Sequence, residues 1–167
     1  MPKTEGEGNS RIFILNTGGT LGMEFDPKTK AYAPAKSAAE LMKGLNIPKG
    51  IKTTLQNMPT LLDSTNVDYD DRVAMAESIA GAYNQNDAFI ILHGTDSIAY
   101  TAAGITMIFK ESMQKPIIIV GSQMTKDEAG TDMRIQLENA VRIADEFSDT
   151  RTQIAGVFAL ASGEVFI

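Results

Sequence analysis

The 167-residue chain carries 15 lysines and arginines against 21 acidic residues, a net charge of −6, and is 43% hydrophobic. That profile suits one globular domain and argues against nucleic-acid binding, which needs clustered cations. With no cysteine and one histidine, His93, disulfides, thiolate metal sites and histidine-rich zinc sites are excluded. The apolar runs are far shorter than a membrane span, and Met1–Ser10 is polar and glycine-rich with no signal-peptide core, so a cytoplasmic protein is expected.

In chain order, residues 1–10 read as a flexible tail and 11–167 as one domain. Ile12-Phe13-Ile14-Leu15 is a continuous apolar run suited to a buried strand, and it runs into the sharp turn Thr17-Gly18-Gly19-Thr20. Residues 21–35, with Gly22, Pro27 and Pro34, read as a long irregular or hairpin-like loop of the kind that is usually functional. Ser37 can cap a short helix reaching Leu45. A second strand is predicted over 51–58, followed by the polar stretch Asp63-Ser64-Thr65-Asn66. The next helix places Val73, Ala76, Ala80 and Tyr83 on one face, with Asp68, Asp70 and Asp71 at its positive end.

Ala88–Leu92 is a third strand, leading into His93-Gly94-Thr95-Asp96-Ser97 and a helix with Ile98, Ala102, Ile105 and Phe109 on one side. Pro116 opens a fourth strand that exits into Gly121-Ser122-Gln123. Thr131 or Asp132 can cap a helix whose stripe is Met133, Leu137, Ala140, Val141 and Ala144, and Gly156–Ala161 is the fifth strand. Strands alternate with helices, are apolar throughout, and no hairpin signal joins neighbours. The expected fold is α/β: an open, mostly parallel sheet with helices on both faces, a Rossmann-like or flavodoxin-like three-layer sandwich.

Ligands of such sheets gather at the carboxyl ends of the strands. There this sequence supplies hydroxyls, glycines and carboxylates, with no thiol or imidazole pair, so the available nucleophile is a hydroxyl. Glycines beside it let backbone approach a substrate and leave N–H groups for an oxyanion. Simpler roles compete with each assignment. The Thr17–Thr20 turn could be a tight turn or an anion nest, and Thr95-Asp96-Ser97 sits where a helix cap belongs. Asp63 and Ser64 could be turn formers. A lone His93 reads as structural, the methionines as core filler, and Lys126-Asp127-Glu128 as a solvated loop.

Phe13-Ile14-Leu15-Asn16-Thr17-Gly18-Gly19-Thr20-Leu21-Gly22-Met23 resembles the first signature of L-asparaginases, its Gly22-Met23 ending being similar to the cytoplasmic type I branch. Ile91-Leu92-His93-Gly94-Thr95-Asp96-Ser97 resembles the second, with Ser97 where threonine is commoner; Gly121-Ser122-Gln123 and Leu137–Ala140 are also similar. The resemblance spans residues 11–161 and corresponds to the N-terminal domain of that family.

It implies Thr20 as primary nucleophile, Tyr32 assisting it, Thr95 as second catalytic threonine, and Asp96 holding the substrate amino group. Asp63, Ser64 and Thr65 would bind the amino and carboxylate groups, with Gly19 and Gly94 giving backbone to the site. The implied reaction hydrolyses L-asparagine to L-aspartate and ammonia through an ester intermediate, without a cofactor; glutamine differs by one methylene, worth only about 1–3 kcal/mol. The family's lysine falls beyond the strand ending near Ala161, and Lys126 comes too early to replace it. A nucleophile without its base loses roughly 10²- to 10⁴-fold, so residues 1–167 alone are expected to be weak or inactive. An uncovered sheet would favour self-association into a homo-oligomer. The alternatives are the asparaginase-like subunit of glutamyl-tRNA(Gln) amidotransferase and a non-catalytic amino-acid-binding domain.

Overall fold

The computed structural model describes residues 10–26, 28–124, 130–149, 152 and 154–167. The elements are β1 (Arg11–Asn16), β2 (Met23–Asp26), β3 (Ala31–Pro34), α1 (Ala38–Leu41), β4 (Lys52–Asn57), α2 (Tyr69–Ala82), β5 (Ala88–Leu92), α3 (Ile98–Phe109), β6 (Pro116–Val120), α4 (Met133–Ser148), β7 (Gly156–Ala161) and β8 (Glu164–Phe166). Six of the strands form one sheet in the order β4-β1-β5-β6-β7-β8, parallel except for β8. β2 and β3 pair separately as an antiparallel hairpin, which resolves the loop after β1.

The apolar runs become β1, β5 and β6 because those strands are covered on both faces. Successive side chains alternate between two cores. Ile12, Ile14, Ile90, Leu92, Ile118 and Val120 pack under α1 and α4; Phe13, Leu15, Phe89, Ile91, Ile117 and Ile119 pack under α2 and α3. The mostly parallel three-layer architecture is therefore as expected.

One connection departs from the others. The chain moves from β1 to β4 in one direction through α1 on the first face. It then moves the opposite way from β4 to β5 and from β5 to β6, through α2 and α3 on the second face. Reversing both direction and face preserves the hand. From β6 to β7 it continues in the same direction, but α4 covers the first face, so this crossover has the opposite hand. Since such units are nearly always right-handed, the α4 crossover is the left-handed one.

Three local expectations are corrected. Ser10 is buried, its Oγ 2.5 Å from Asp145 Oδ1 and 2.8 Å from Ser148 Oγ, so it belongs to the domain; residues 1–9 of the tail lie outside the described residues. α1 begins at its Ser37 cap, whose Oγ accepts from Glu40 N, but ends at Leu41 instead of reaching Leu45. α2 buries Met75, Ala76 and Ile79 and exposes Ala80, because the larger side chains at 75 and 79 set its rotation. Its start was legible: Asp68 and Asp71 form a reciprocal capping box.

The chain also adds β8 through a two-residue turn, Ser162-Gly163, both at positive φ (52° and 80°), as type I′ hairpins require. Gln136 supplies the missing signal. With its amide oxygen toward the turn, it accepts from Ser162 N at 2.8 Å and Gly163 N at 3.1 Å.

The α4 stripe is as expected, Leu137 being fully buried and Ile135 61% exposed. Leu137→Ala is expected to lower unfolding free energy by about 2–5 kcal/mol, and Ile135→Ala by no more than about 0.5 kcal/mol, as measured by urea denaturation. Equal effects would mean that α4 docks by another face.

Candidate active site

The loops leaving β1, β4, β5 and β6 converge at the carboxyl edge of the sheet. Thr17 ends β1 by bonding across to β5: its N–H and Oγ1 both donate to Leu92 O, at 3.1 and 2.8 Å, while its own carbonyl accepts from Leu62 N at 3.0 Å. Only 3% exposed, it fastens the edge with a hydroxyl hydrogen already given to the Leu92 carbonyl. Asn16 holds the turn that follows. Its Nδ2 donates to Asn57 Oδ1 (2.8 Å) and Gly22 O (3.3 Å), and its Oδ1 accepts from Gly18 N (3.2 Å).

Gly19 (φ 74°) then turns the backbone so closely over the β5 loop that a Cβ there would lie 2.9 Å from Gly94 N. Gly94 in turn has Ser64 Oγ where its own Cβ would be, at 2.5 Å. Thr20, half-buried, opens a single 3-10 turn over Thr20–Gly22 and donates from Oγ1 to Ser122 O at 2.8 Å. Thr95 packs its methyl carbon against Gly121, 2.9 Å from the Cβ position that glycine lacks, and its Oγ1 accepts from Gln123 Nε2 at 2.9 Å. Both threonines thus touch the same short segment, Gly121–Gln123. This segment stands out in the sequence as a motif, but the contact roles of the Ser122 carbonyl and the Gln123 amide are not legible there.

Ser64 lies 2% exposed in the same cluster, and its Oγ has no hydrogen-bond partner. It is anchored by its backbone, Ser97 Oγ donating to Ser64 O at 2.5 Å. Ser97, the N-cap of α3, therefore makes no side-chain cap bond, which removes the simple capping reading of Thr95-Asp96-Ser97. Asp63 and Thr65 flank Ser64 and are exposed. Asp63 Oδ1 accepts from Thr65 N (2.9 Å) and Thr65 Oγ1 (2.8 Å), and these two bonds hold its carboxyl below the usual range. Those two residues serve first as a turn cap.

Asp96 is exposed on the Thr95 turn and bonded by no described residue. Tyr32 stands opposite Phe25 in the β2–β3 hairpin, its side chain outside the described residues, as is Lys126. The structure thus brings together Thr20, Thr95, Ser64, Gly19 and Gly94. An 820 Å³ groove between α2 and α3, bordered by Tyr69, Tyr100 and Met107, contains none of these residues.

His93 continues β5, fully buried behind the cleft. Its Nδ1 meets Gly94 O at 2.7 Å and its Nε2 meets Thr101 Oγ1 at 3.0 Å. Burial chiefly pushes the imidazole below its ordinary value; the bond to Gly94 opposes this and the Arg72 charge adds to it.

Hydroxyls and close-set glycines thus gather at the carboxyl edge of a doubly wound sheet, the edge where such folds hold their ligands. The family model "Asparaginase, N-terminal" matches residues 11–167, and the chain belongs to the asparaginase family. Over 140 residues it is 34% identical to L-asparaginase 1 of Escherichia coli (strain K12), covering 81% of this chain and 40% of that one. It is 29% identical over 141 residues to a glutamyl-tRNA(Gln) amidotransferase subunit of Thermoplasma acidophilum, covering 84% and 34%. The crystal structure of L-asparaginase I from Vibrio cholerae superposes with a TM-score of 0.77 at 28% identity, over 95% of this chain and 46% of that one. The chain therefore spans less than half the length of these relatives.

As the sole histidine, His93 gives a clean pH test. Above about pH 6.5 it is neutral whether folded or unfolded; below that, the unfolded chain takes up a proton that the folded chain refuses. Stability should fall as pH drops from about 6.5 to 5, at up to about 1.4 kcal/mol per unit, and His93→Gln should flatten that limb in urea titrations. An unchanged limb in the variant would assign the loss to other groups.

Proposed function

We propose that residues 11–167 form the hydroxyl-bearing domain of an amidohydrolase that converts L-asparagine to L-aspartate and ammonia, with L-glutamine as the competing substrate. The observation that carries this reading is the meeting of Thr20 and Thr95 on one segment, each through its Oγ1.

In this reading Thr20 Oγ1 attacks the side-chain amide carbon, and its proton passes to the departing nitrogen. Ammonia leaves behind a β-aspartyl ester, which water cleaves to aspartate, restoring the hydroxyl. Thr95 assists proton movement at the reacting carbon. Ser64, buried with an unpaired Oγ, meets the substrate carboxylate, and Asp96 meets its ammonium. Tyr32 assists Thr20, as the family resemblance implies; Asp63 and Thr65 hold the Ser64 turn and flank the bound amino acid. Gly19 and Gly94 offer backbone N–H groups to the developing oxyanion.

Among the described residues no basic side chain bonds to Thr20 or Thr95, so these residues by themselves support slow turnover at most. A cytoplasmic setting fits the type I resemblance of the Gly22-Met23 signature. Association of copies fits the apolar exposure of Tyr69, Tyr100 and Met107, each 70% or more. A second reading, amide hydrolysis feeding a tRNA-linked transfer, draws on the similarity to the Thermoplasma amidotransferase. Ammonia release that requires glutamyl-tRNA would favour it.

Ammonia release from asparagine by the full-length polypeptide tests the main reading. Thr95→Val, which removes one hydroxyl at similar volume, and Thr20→Ala should each lower kcat/KM by at least about 100-fold. Parental rates in both variants would remove the threonines from the chemistry.

A further inference from the structure

Behind the cleft runs a chain of hydrogen bonds, centred on the buried pair Thr101–His93, that the proposed reaction does not use. Arg72 Nε lies 3.4 Å from Thr101 Oγ1, Thr101 Oγ1 lies 3.0 Å from His93 Nε2, and His93 Nδ1 lies 2.7 Å from Gly94 O. Thr101 and His93 are both fully buried. The direction of every bond is fixed by its ends. A guanidinium can only donate, so Thr101 accepts from Arg72 and turns its own O–H to Nε2. A carbonyl can only accept, so Nδ1 carries the imidazole proton. Arg72 is itself held by Nη2 donating to Val67 O at 3.1 Å.

The last bond ends on the peptide joining Gly94 to Thr95. A trans peptide is planar, with N–H and C=O pointing in opposite directions, so pinning the Gly94 oxygen fixes where the Thr95 N–H points. That N–H donates to no acceptor among the described residues. The Thr95 nitrogen borders the space left by the missing side chain of Gly121, 3.4 Å from where a Cβ would stand.

We propose that His93 is a positioning residue for acyl transfer: by holding the Gly94 carbonyl from behind, it aims the Thr95 N–H into the cleft as an oxyanion donor and seats the Thr95 hydroxyl. This rests on the amidohydrolase reading given above. The imidazole exchanges no proton with substrate; it acts through the peptide it grips. Arg72 and Thr101 set its tautomer, which places the start of the chain in α2 and its end at the reacting carbon. Losing one oxyanion donor outright costs about 10²- to 10³-fold in kcat, so misaiming one should cost less.

Two measurements on the full-length polypeptide decide it. In the parent protein at pH 7, the ¹⁵N shifts of His93 should report a neutral ring protonated at Nδ1. A ring protonated at Nε2, or at both nitrogens, overturns the proposal whatever the protein hydrolyses. The second compares two substitutions. His93→Asn puts an amide N–H near the Nδ1 position and can still hold Gly94 O; His93→Gln reaches the Nε2 position and leaves Gly94 O unheld.

His93→Gln should lower kcat for asparagine about 10- to 100-fold with KM moved less than about threefold, and shift the Thr95 amide resonance. His93→Asn should keep kcat within about fivefold and leave that resonance near its parental position. Equal losses in the two variants, or a loss confined to KM, would show a merely structural histidine. If the parent releases no ammonia from asparagine, the functional reading fails, while the tautomer and the Thr95 resonance still decide the role of His93.

Discussion

The cleft depends on backbone touching backbone where side chains would ordinarily keep loops apart. The turn after β1 rests on the loop after β5 at Gly19, and that loop rests on Ser64 at Gly94, each with a space too small for a Cβ. Packing in protein interiors leaves little slack to absorb such an intrusion. Every other feature of the site follows from this contact: the nearness of Thr20 to Thr95, the burial of Ser64, and the seat of the Gly94–Thr95 peptide above His93. In the proposed reaction the hydroxyls supply the chemistry, while the glycines supply the distances.

The odd hand of the α4 crossover explains why four loops, and not two, reach one place. The segment leaving β6 heads for the first face, the side to which the chain leaving β1 also turns, while the chain leaving β5 turns to the second. β5 lies between β1 and β6 in the sheet. The Gly121–Gln123 segment can therefore lean across the end of β5 and meet Thr20 on one side and Thr95 on the other. Had α4 returned on the second face beside α3, Ser122 and Thr20 would leave the sheet on different sides. The rare connection thus has a local purpose at the site, despite the strong general preference against it.

What was legible in the sequence divides along physical lines. β1, β5 and β6 announced themselves because two covered faces demand unbroken apolar runs, and the α4 stripe because one covered face demands a helical period. The loops carrying Thr20, Ser64 and Thr95 were legible because hydroxyls and glycines cluster where strands end.

The rotation of α2 was not, since its apolar residues are too evenly spread for alanines to reveal the phase; two large side chains decided it. Nor was β8, whose turn is secured by Gln136, a residue from a distant helix. The two threonines of the first turn look alike in sequence, yet one is spent on fastening β1 to β5 and the other opens to the cleft. The difference arises from the Leu92 carbonyl, a backbone group that no side-chain pattern can disclose.

The bond from Thr20 Oγ1 to the Ser122 carbonyl also gives the resting site a character of its own. A hydroxyl whose hydrogen is already committed to the main chain is a latched one. Its oxygen keeps lone pairs, but the proton cannot depart until the latch opens. Releasing it costs on the order of 1 kcal/mol, small against a chemical barrier and enough to keep the idle group quiet toward passing solutes. In the proposed reaction, an incoming amide that offers its own N–H to the same carbonyl would open the latch as it binds, so that arming Thr20 and recognising an amide would become one event.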